Sequence, residues 1–326
     1  MAPGSAASAR NRATHRETRQ AGARFARIPT QTRKRLESGT GPGTASSLPF
    51  FDFQPPLPIP ISRIPLRTLY PVSMSTSPEP RVYVEEGFRW DEQRAYLFDI
   101  DGTLLRHRDR IHVDAFFQGV REVMGRELDL EGVTLAGNTD PGILRDAFRL
   151  ASIEDSVWRP HREDVLRAMR VHVAERRGEM LWSIMPGVEA MLAHLASRGA
   201  LLGVATGNLE EIGWIKIENA GLRSWFQFGG FCDRFEARED MIAHAAEQAR
   251  GILRSREGSA DAVCVIGDTP RDIEAARANG LPTIAVATGR YSFDQLMEHK
   301  PAACTTTLEA LLQASEIAMK AREHAS

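Results

Sequence analysis

The sequence predicts an α/β protein: a doubly wound parallel sheet with an inserted α-helical module and a disordered N-terminal tail. Three observations predict it. After Trp90, short apolar runs alternate with amphipathic stretches of helical period, the pattern of repeated strand–helix units. The interval between the first two apolar runs is about 100 residues, far longer than one crossover helix needs, so it holds a module of its own. The first 80 residues carry 12 of the 18 prolines, and residues 1–47 are mostly small, polar or Arg. Such a composition buries too little surface to offset chain entropy.

The elements follow in order along the chain. Disorder is expected over 1–92. Residues 1–73 carry a net charge of +8 and the remainder −10, so two unlike segments share the chain. The favoured reading of the first segment is that translation starts at Met74. The others are an organellar transit peptide and a basic tail for nucleic acid, which without interleaved aromatics gives no specific recognition. Strands are expected at 95–100, 201–205, 262–266 and 282–287, each bounded by Gly, Asp or Asn. Helices are expected near 187–199, 209–220, 238–254, 270–279 and 307–317, several with Pro in the first turn, where its missing N–H costs nothing. The inserted module reads as helices near 113–125, 141–151 with Asp140 as N-cap, and 160–177. The expected division is therefore a core of 93–111 plus 183–326 and a helical module of 112–182.

The bulk composition, 42% hydrophobic and 26% charged with net charge −2, excludes collagen-like, mucin-like and wholly disordered classes. No apolar run is long enough to span a membrane; the richest stretch, within 48–66, is broken by prolines. Cys232, Cys264 and Cys304 lack zinc-site spacing and form no disulfide framework, which points to a reducing compartment and a cytoplasmic location, or an organellar one if the tail is a transit peptide.

Open parallel sheets bind ligands at the carboxyl ends of their strands. The first strand ends in FDIDGTLL, which puts Asp99 and Asp101 on one side of an extended chain as the strand runs out. Gly102 allows a sharp turn there and the Thr103 hydroxyl can hold it. Two close carboxylates need a cation or a shared proton, and magnesium, which takes one or two carboxylates plus phosphate oxygens, suits them. The second strand ends in ATGN, offering the Thr206 hydroxyl and the free amides of Gly207, Asn208 and the following helix start to an anion. The third ends in IGDTPRD, which places Asp268 at a strand end and Asp272 one helical turn on.

With these motifs in order, the chain resembles a haloacid dehalogenase superfamily phosphatase over residues 95 to about 315, of the phosphoglycolate-phosphatase type with a helical cap of the first kind. The resemblance implies a Rossmann-like core and a magnesium-dependent hydrolase acting on a small phosphorylated metabolite, as a monomer or homodimer with no specific nucleic-acid or membrane partner. It implies Asp99 as nucleophile and Asp101 as general acid and base. Asp99, the main-chain carbonyl of Asp101 and Asp268 would hold Mg²⁺, Asp272 would support the site, and Thr206 would bind a phosphoryl oxygen.

One position departs from the family pattern. The usual Lys-Pro that supplies a phosphate-binding lysine is absent from its segment. Lys216 is the substitute by residue type, but it lies ten residues beyond Thr206, roughly 12 Å along a helix. It is therefore expected on the solvated surface, and Arg238 ranks above it. Asn138, Thr139, Asp140 and Arg145 either face substrate from the module or form a loop and helix cap. The run Arg106, His107, Arg108 and Arg110 either attracts an anion or is solvated. The runner-up activity is a phosphomutase of the beta-phosphoglucomutase kind, kept open by His112; a non-catalytic scaffold ranks behind it.

Overall fold

The computed structural model describes residues 79–257 and 262–323. The expectations for residues 1–78 lie outside the described residues. A seven-stranded sheet has the order β1-β9-β8-β7-β2-β5-β6. Its strands are β1 (Val82–Val84), β2 (Ala95–Phe98), β5 (Leu201–Ala205), β6 (Phe228–Gly230), β7 (Val263–Gly267), β8 (Thr283–Val286) and β9 (Ala303–Thr305). All neighbours pair in parallel except β1 with β9. The short pair β3 (Leu105–His107) and β4 (Trp182–Ile184) forms a separate antiparallel ribbon.

β2 is central because all four of its side chains are apolar enough to be covered on both faces, and each is fully buried between β5 and β7. The chain leaves the sheet along β3 and returns along β4. Between them lie α1 (Ile111–Met124), α2 (Asp140–Leu150), α3 (Asp155–Trp158) and α4 (Arg162–Glu175). The apolar faces of α1, α2 and α4 share one buried cluster, with Phe116, Phe148, Trp158 and Leu166 among its members. The core helices are α5 (Val188–Ser197), α6 (Glu210–Asn219), α7 (Arg238–Glu257), α8 (Pro270–Ala278), α9 (Phe293–Glu298) and α10 (Leu308–Glu323). Ile212 and Ile215 of α6 belong to the inserted helices' cluster, so α6 is where that module seats.

The structure corrects three expectations. Residues 79–92 are not part of a disordered segment: Val82–Val84 pairs with β9, and Trp90 is buried against the core. The Trp90 indole N–H donates to Ser315 Oγ at 3.0 Å, and its ring stacks on His194 at 5.6 Å. Three residues of β-branched and aromatic type suffice for an edge strand when a partner supplies the ladder. The N-cap of α2 is Thr139, whose hydroxyl accepts from the Gly142 N–H at 3.0 Å, and Asp140 is the first helical residue. Pro at the second helical position is as compatible with the observed start as with the expected one. The strands β1, β6 and β9 and the β3–β4 ribbon, each of three residues, go beyond the four expected.

Trp90→Ala should destabilise the protein by about 3–5 kcal/mol, the usual cost of deleting a buried large aromatic. Denaturant unfolding of the full chain measures it. A loss under 1 kcal/mol would mean that the 79–92 segment is not fixed to the core.

Candidate active site

Three strand ends meet at one edge of the sheet. Asp99 follows β2, is 4% exposed, and its N–H donates to the Ile266 carbonyl of β7 at 2.9 Å. The turn after it is held by Gly102, at φ +93°, whose N–H donates to Leu105 O at 2.8 Å. A Cβ on Gly102 would sit 2.4 Å from Asp268 Oδ2, so only glycine lets the two strand ends come this close. The Thr103 hydroxyl donates to Asp268 Oδ1 at 3.0 Å. Thr206 follows β5, 1% exposed, with its N–H donating to Gly230 O of β6 at 3.1 Å.

Arg238 opens α7 and is 5% exposed. Its guanidinium donates to Asp272 Oδ1 from Nε at 3.0 Å and Nη2 at 2.5 Å, and Nη2 lies 3.1 Å from Asp99 Oδ1. The other Asp272 oxygen accepts from the N–H and hydroxyl of Thr269, at 3.0 and 2.6 Å, within the capping box of α8. Asp272 is thus the fixed post that aims Arg238 at Asp99.

Asp99, Asp268 and Asp272 bring one carboxylate oxygen each within 4.8 Å of one another, all buried. Burial pushes the Asp99 carboxyl up to about 6, with Asp272 and Asp101 adding to the shift and Arg238 opposing it. Burial and the charges of Asp99 and Asp272 hold Asp268 well above the usual carboxylate range. Burial works against the Arg238 charge, yet Asp272 and Asp99 outweigh it and raise its pKa. One guanidinium facing three buried carboxylates leaves an excess of negative charge, and hard oxygen donors are what a magnesium ion takes. The donor set fits that ion.

Asp101 belongs to a second network. Its oxygens accept from Lys216 Nζ at 2.6 and 2.9 Å and from Asn208 Nδ2 at 2.8 Å, and His107 Nε2 lies 3.1 Å away. Burial opposes its ionisation, but Lys216 and the two nearby histidines, His107 and His112, hold the carboxyl well below its usual range. Lys216 is not the solvated surface residue expected. It is 2% exposed, and its ammonium also donates to Asn208 Oδ1 at 2.7 Å and meets His112 Nδ1 at 3.1 Å. The estimate from helix rise overlooked that side chains tilt toward the helix N-terminus, which returns the ammonium toward the strand ends. Among the described residues the cation paired with Asp99 is nonetheless Arg238, and Lys216 serves Asp101.

The module's predicted contacts divide. Asp140 lines the cavity, but its carboxylate accepts from the Leu209 N–H at 2.9 Å and lies 3.1 Å from His112 Nε2. Thr139 is fully buried and outside the cavity lining: its hydroxyl donates to Glu236 O at 2.7 Å, so it fixes the junction and does not face substrate. Gly207 lies where the loops touch, since its O accepts from the Asp140 N–H at 2.8 Å and a Cβ there would meet Asn138 O at 2.1 Å. Arg145 turns to Asp146 and Glu236. Glu236 also lies 3.0 Å from Arg159 and 4.0 Å from Arg162, and Asp233 lies 2.7 Å from Arg170. Of the run after the first motif, only His107 approaches the site; Arg106 donates to Thr288 O at 3.0 Å. Sequence reading missed the Asn208 bridge between Asp101 and Lys216, for which no spacing rule exists.

The sequence model of the haloacid dehalogenase-like hydrolases matches residues 96–286. The chain belongs to that family. It is 29% identical over 234 residues to "Probable phosphatase IndB" of Dickeya dadantii, covering 69% of this chain and 94% of that one. It is 27% identical over 202 residues to a phosphoglycolate phosphatase of Rhodospirillum rubrum, covering 60% of this chain and 80% of the relative. The fold is similar to that of a hydrolase from Pseudomonas syringae, with a TM-score of 0.51 and 18% identity over 69% of this chain and 98% of the other. In this haloacid dehalogenase-like hydrolase, no helix among the described residues is long and apolar enough to cross a membrane.

The charge excess has a stability consequence. A carboxyl raised in the fold stabilises fully below its unfolded pKa, near 3.8 for Asp99, and that contribution is lost as pH rises through the folded value of about 6. Metal-free protein should therefore lose stability from this group between about pH 4 and 6, and Asp99→Asn should flatten the slope. Thermal melts across that range, against native protein, check it. Millimolar Mg²⁺ should raise the Tm of the native protein at pH 7. In Asp268→Asn, the metal-free Tm should rise and the Mg²⁺ response should shrink.

Proposed function

We propose that this family member is a magnesium-dependent phosphatase that hydrolyses a small phosphorylated metabolite through an aspartyl-phosphate on Asp99. The observation that carries the reading is the division of labour between two carboxylates two residues apart. Asp99 is paired with a guanidinium suited to phosphoryl oxygens, and Asp101 is paired with an ammonium and turned elsewhere.

Asp99 Oδ attacks phosphorus, forming the acyl–phosphate bond as the ester P–O bond breaks. The leaving oxygen takes a proton from the Asp101–Lys216 pair. Water then attacks the phosphoryl group, returns its proton to that pair, and frees phosphate and Asp99. Arg238, Thr206 and the amides after it bind the phosphoryl oxygens and stabilise the charge that spreads over them. Asp99, Asp268 and the Asp101 main-chain carbonyl would hold the metal. Asp272 would act through Arg238, because both of its oxygens are engaged. When bound, Mg²⁺ supplies the positive charge that keeps Asp99 ionised and draws in the phosphate. The inserted helices act as a cap that excludes water. The likeness in sequence to proteins named as phosphatases supports the same reading. The three cysteines are free and buried, in keeping with the cytoplasm. The phosphomutase reading rested on His112, whose ring nitrogens lie beside Lys216 and Asp140 and are engaged there.

Asp99→Asn should abolish phosphate release while far-UV CD and Tm stay native-like or improve. Arg238→Ala should lower kcat by on the order of 10²-fold. Lys216→Ala should lower kcat by about 10-fold or more, because Asp101 loses the partner that sets its protonation and position. Retention of native kcat by Asp99→Asn would refute the mechanism.

A further inference from the structure

The cavity that opens from Asp99 and Asp101 has a volume of about 810 Å³, in the range of pockets that take drug-sized ligands and ample for more than a two-carbon acid. Its far wall comes from the inserted module and is apolar: Val113 and Phe116 of α1, Leu130, Val133 and Leu135 of the following loop, and Ile143 of α2. Val113, Val133 and Leu135 belong to the module's apolar cluster yet are only partly buried. They line the cavity, so the apolar surface they leave uncovered is available to a ligand there.

The charge on that wall is of one sign. The module and the residues leading into it contribute Asp109, Asp129, Glu131 and Asp140 to the lining and no Lys or Arg; the module's basic ring in that lining, His112, is already engaged by Asp140 and Lys216. Asp140 and Asp109 are occupied by protein N–H groups or His112, and one Asp129 oxygen accepts from the Glu131 N–H at 2.9 Å, which leaves its other oxygen. The Glu131 carboxylate has no partner among the described residues. The buried cations, Arg238 and Lys216, are already matched to carboxylates at the phosphate end. The remaining lining guanidinium, Arg290, is exposed and follows Gly289, where a Cβ would lie 1.7 Å from Asp268 Oδ2. It therefore belongs to the core rim of the cavity and leaves the module wall without a Lys or Arg. A second anionic group on the leaving alcohol would meet like charge there, an arrangement that disfavours such ligands when water is displaced.

Resting on the phosphatase reading above, we infer that the preferred substrate is a phosphomonoester whose leaving alcohol is uncharged, ring-sized and apolar on one face, with hydrogen-bond donors at its far end for Asp129 and Glu131. Glycolate, a small carboxylate, is the wrong leaving group for this wall.

The test compares kcat/KM of the Mg²⁺-loaded full chain on 4-nitrophenyl phosphate, uridine 5′-monophosphate, 2-phosphoglycolate and acetyl phosphate. A ring-bearing ester should exceed 2-phosphoglycolate by at least tenfold. Val133→Trp, which fills the apolar end, should lower the ratio of ring-bearing ester to acetyl phosphate by at least tenfold; Leu135→Trp is the second variant if the first does not fold. Glu131→Lys, on an exposed loop, should raise the ratio of 2-phosphoglycolate to ring-bearing ester by a similar factor. Preference of the native protein for 2-phosphoglycolate overturns this inference and leaves the phosphatase reading standing, as does a Glu131→Lys ratio that does not move. If Arg290→Ala removes such a preference, the carboxylate site is on the core rim. Release of phosphate from none of the four, acetyl phosphate included, overturns both.

Discussion

The whole site hangs on one buried guanidinium. Arg238 opens α7 with Asp272 holding one edge of its fork and Asp99 facing the other. Removing it would leave buried carboxylates with no protein cation among them, the case in which a broken buried ion pair is costly. Asp272 cannot be spared either, because it is tied to the Thr269 cap and so converts the geometry of α8 into the aim of Arg238. The residual negative charge is not a flaw in this arrangement. Under the proposed function it would favour uptake of a cation together with an anionic substrate.

The second network separates the two acidic residues electrically although they are two positions apart. Strand pleating alone would turn both the same way, but the chain leaves the strand ladder at Phe98 and turns at Gly102. Asp99 stays with Arg238 and Asp268, while Asp101 meets Lys216, Asn208 and His107. Their protonation behaviour splits accordingly, with one carboxyl raised and the other lowered. Without a metal the split runs opposite to the proposed roles, since a nucleophile has to be ionised and an acid has to hold a proton. A cation bound beside Asp99 would lower that carboxyl, and the proton for the leaving oxygen would have to come from the Asp101–Lys216 pair as a whole.

Much of this was legible in the residues. Strands buried on both faces read as apolar runs, and β2, β5, β7 and β8 were found within one or two residues for that reason. Asp99, Thr206 and Asp268 followed because ligand sites of such sheets collect at strand ends. The three-residue strands β1, β6 and β9 were not legible, since too few residues repeat to show a period. Lys216 was misplaced because distance along a helix axis was used without side-chain direction. The Asn208 bridge and the partition of Thr139 and Asp140 between packing and cavity depend on how two loops meet, which no local pattern encodes.

The segment that leads into α7 is gripped by the inserted helices. Glu236 faces Arg159, Arg145 and Arg162, Asp233 pairs with Arg170, and the Glu236 carbonyl takes the Thr139 hydroxyl. Arg238 stands two residues beyond Glu236. The module therefore cannot swing away without releasing the lead-in to the very residue that faces Asp99. Closure and assembly of the anion grip are one mechanical event, and an open molecule is also an unarmed one.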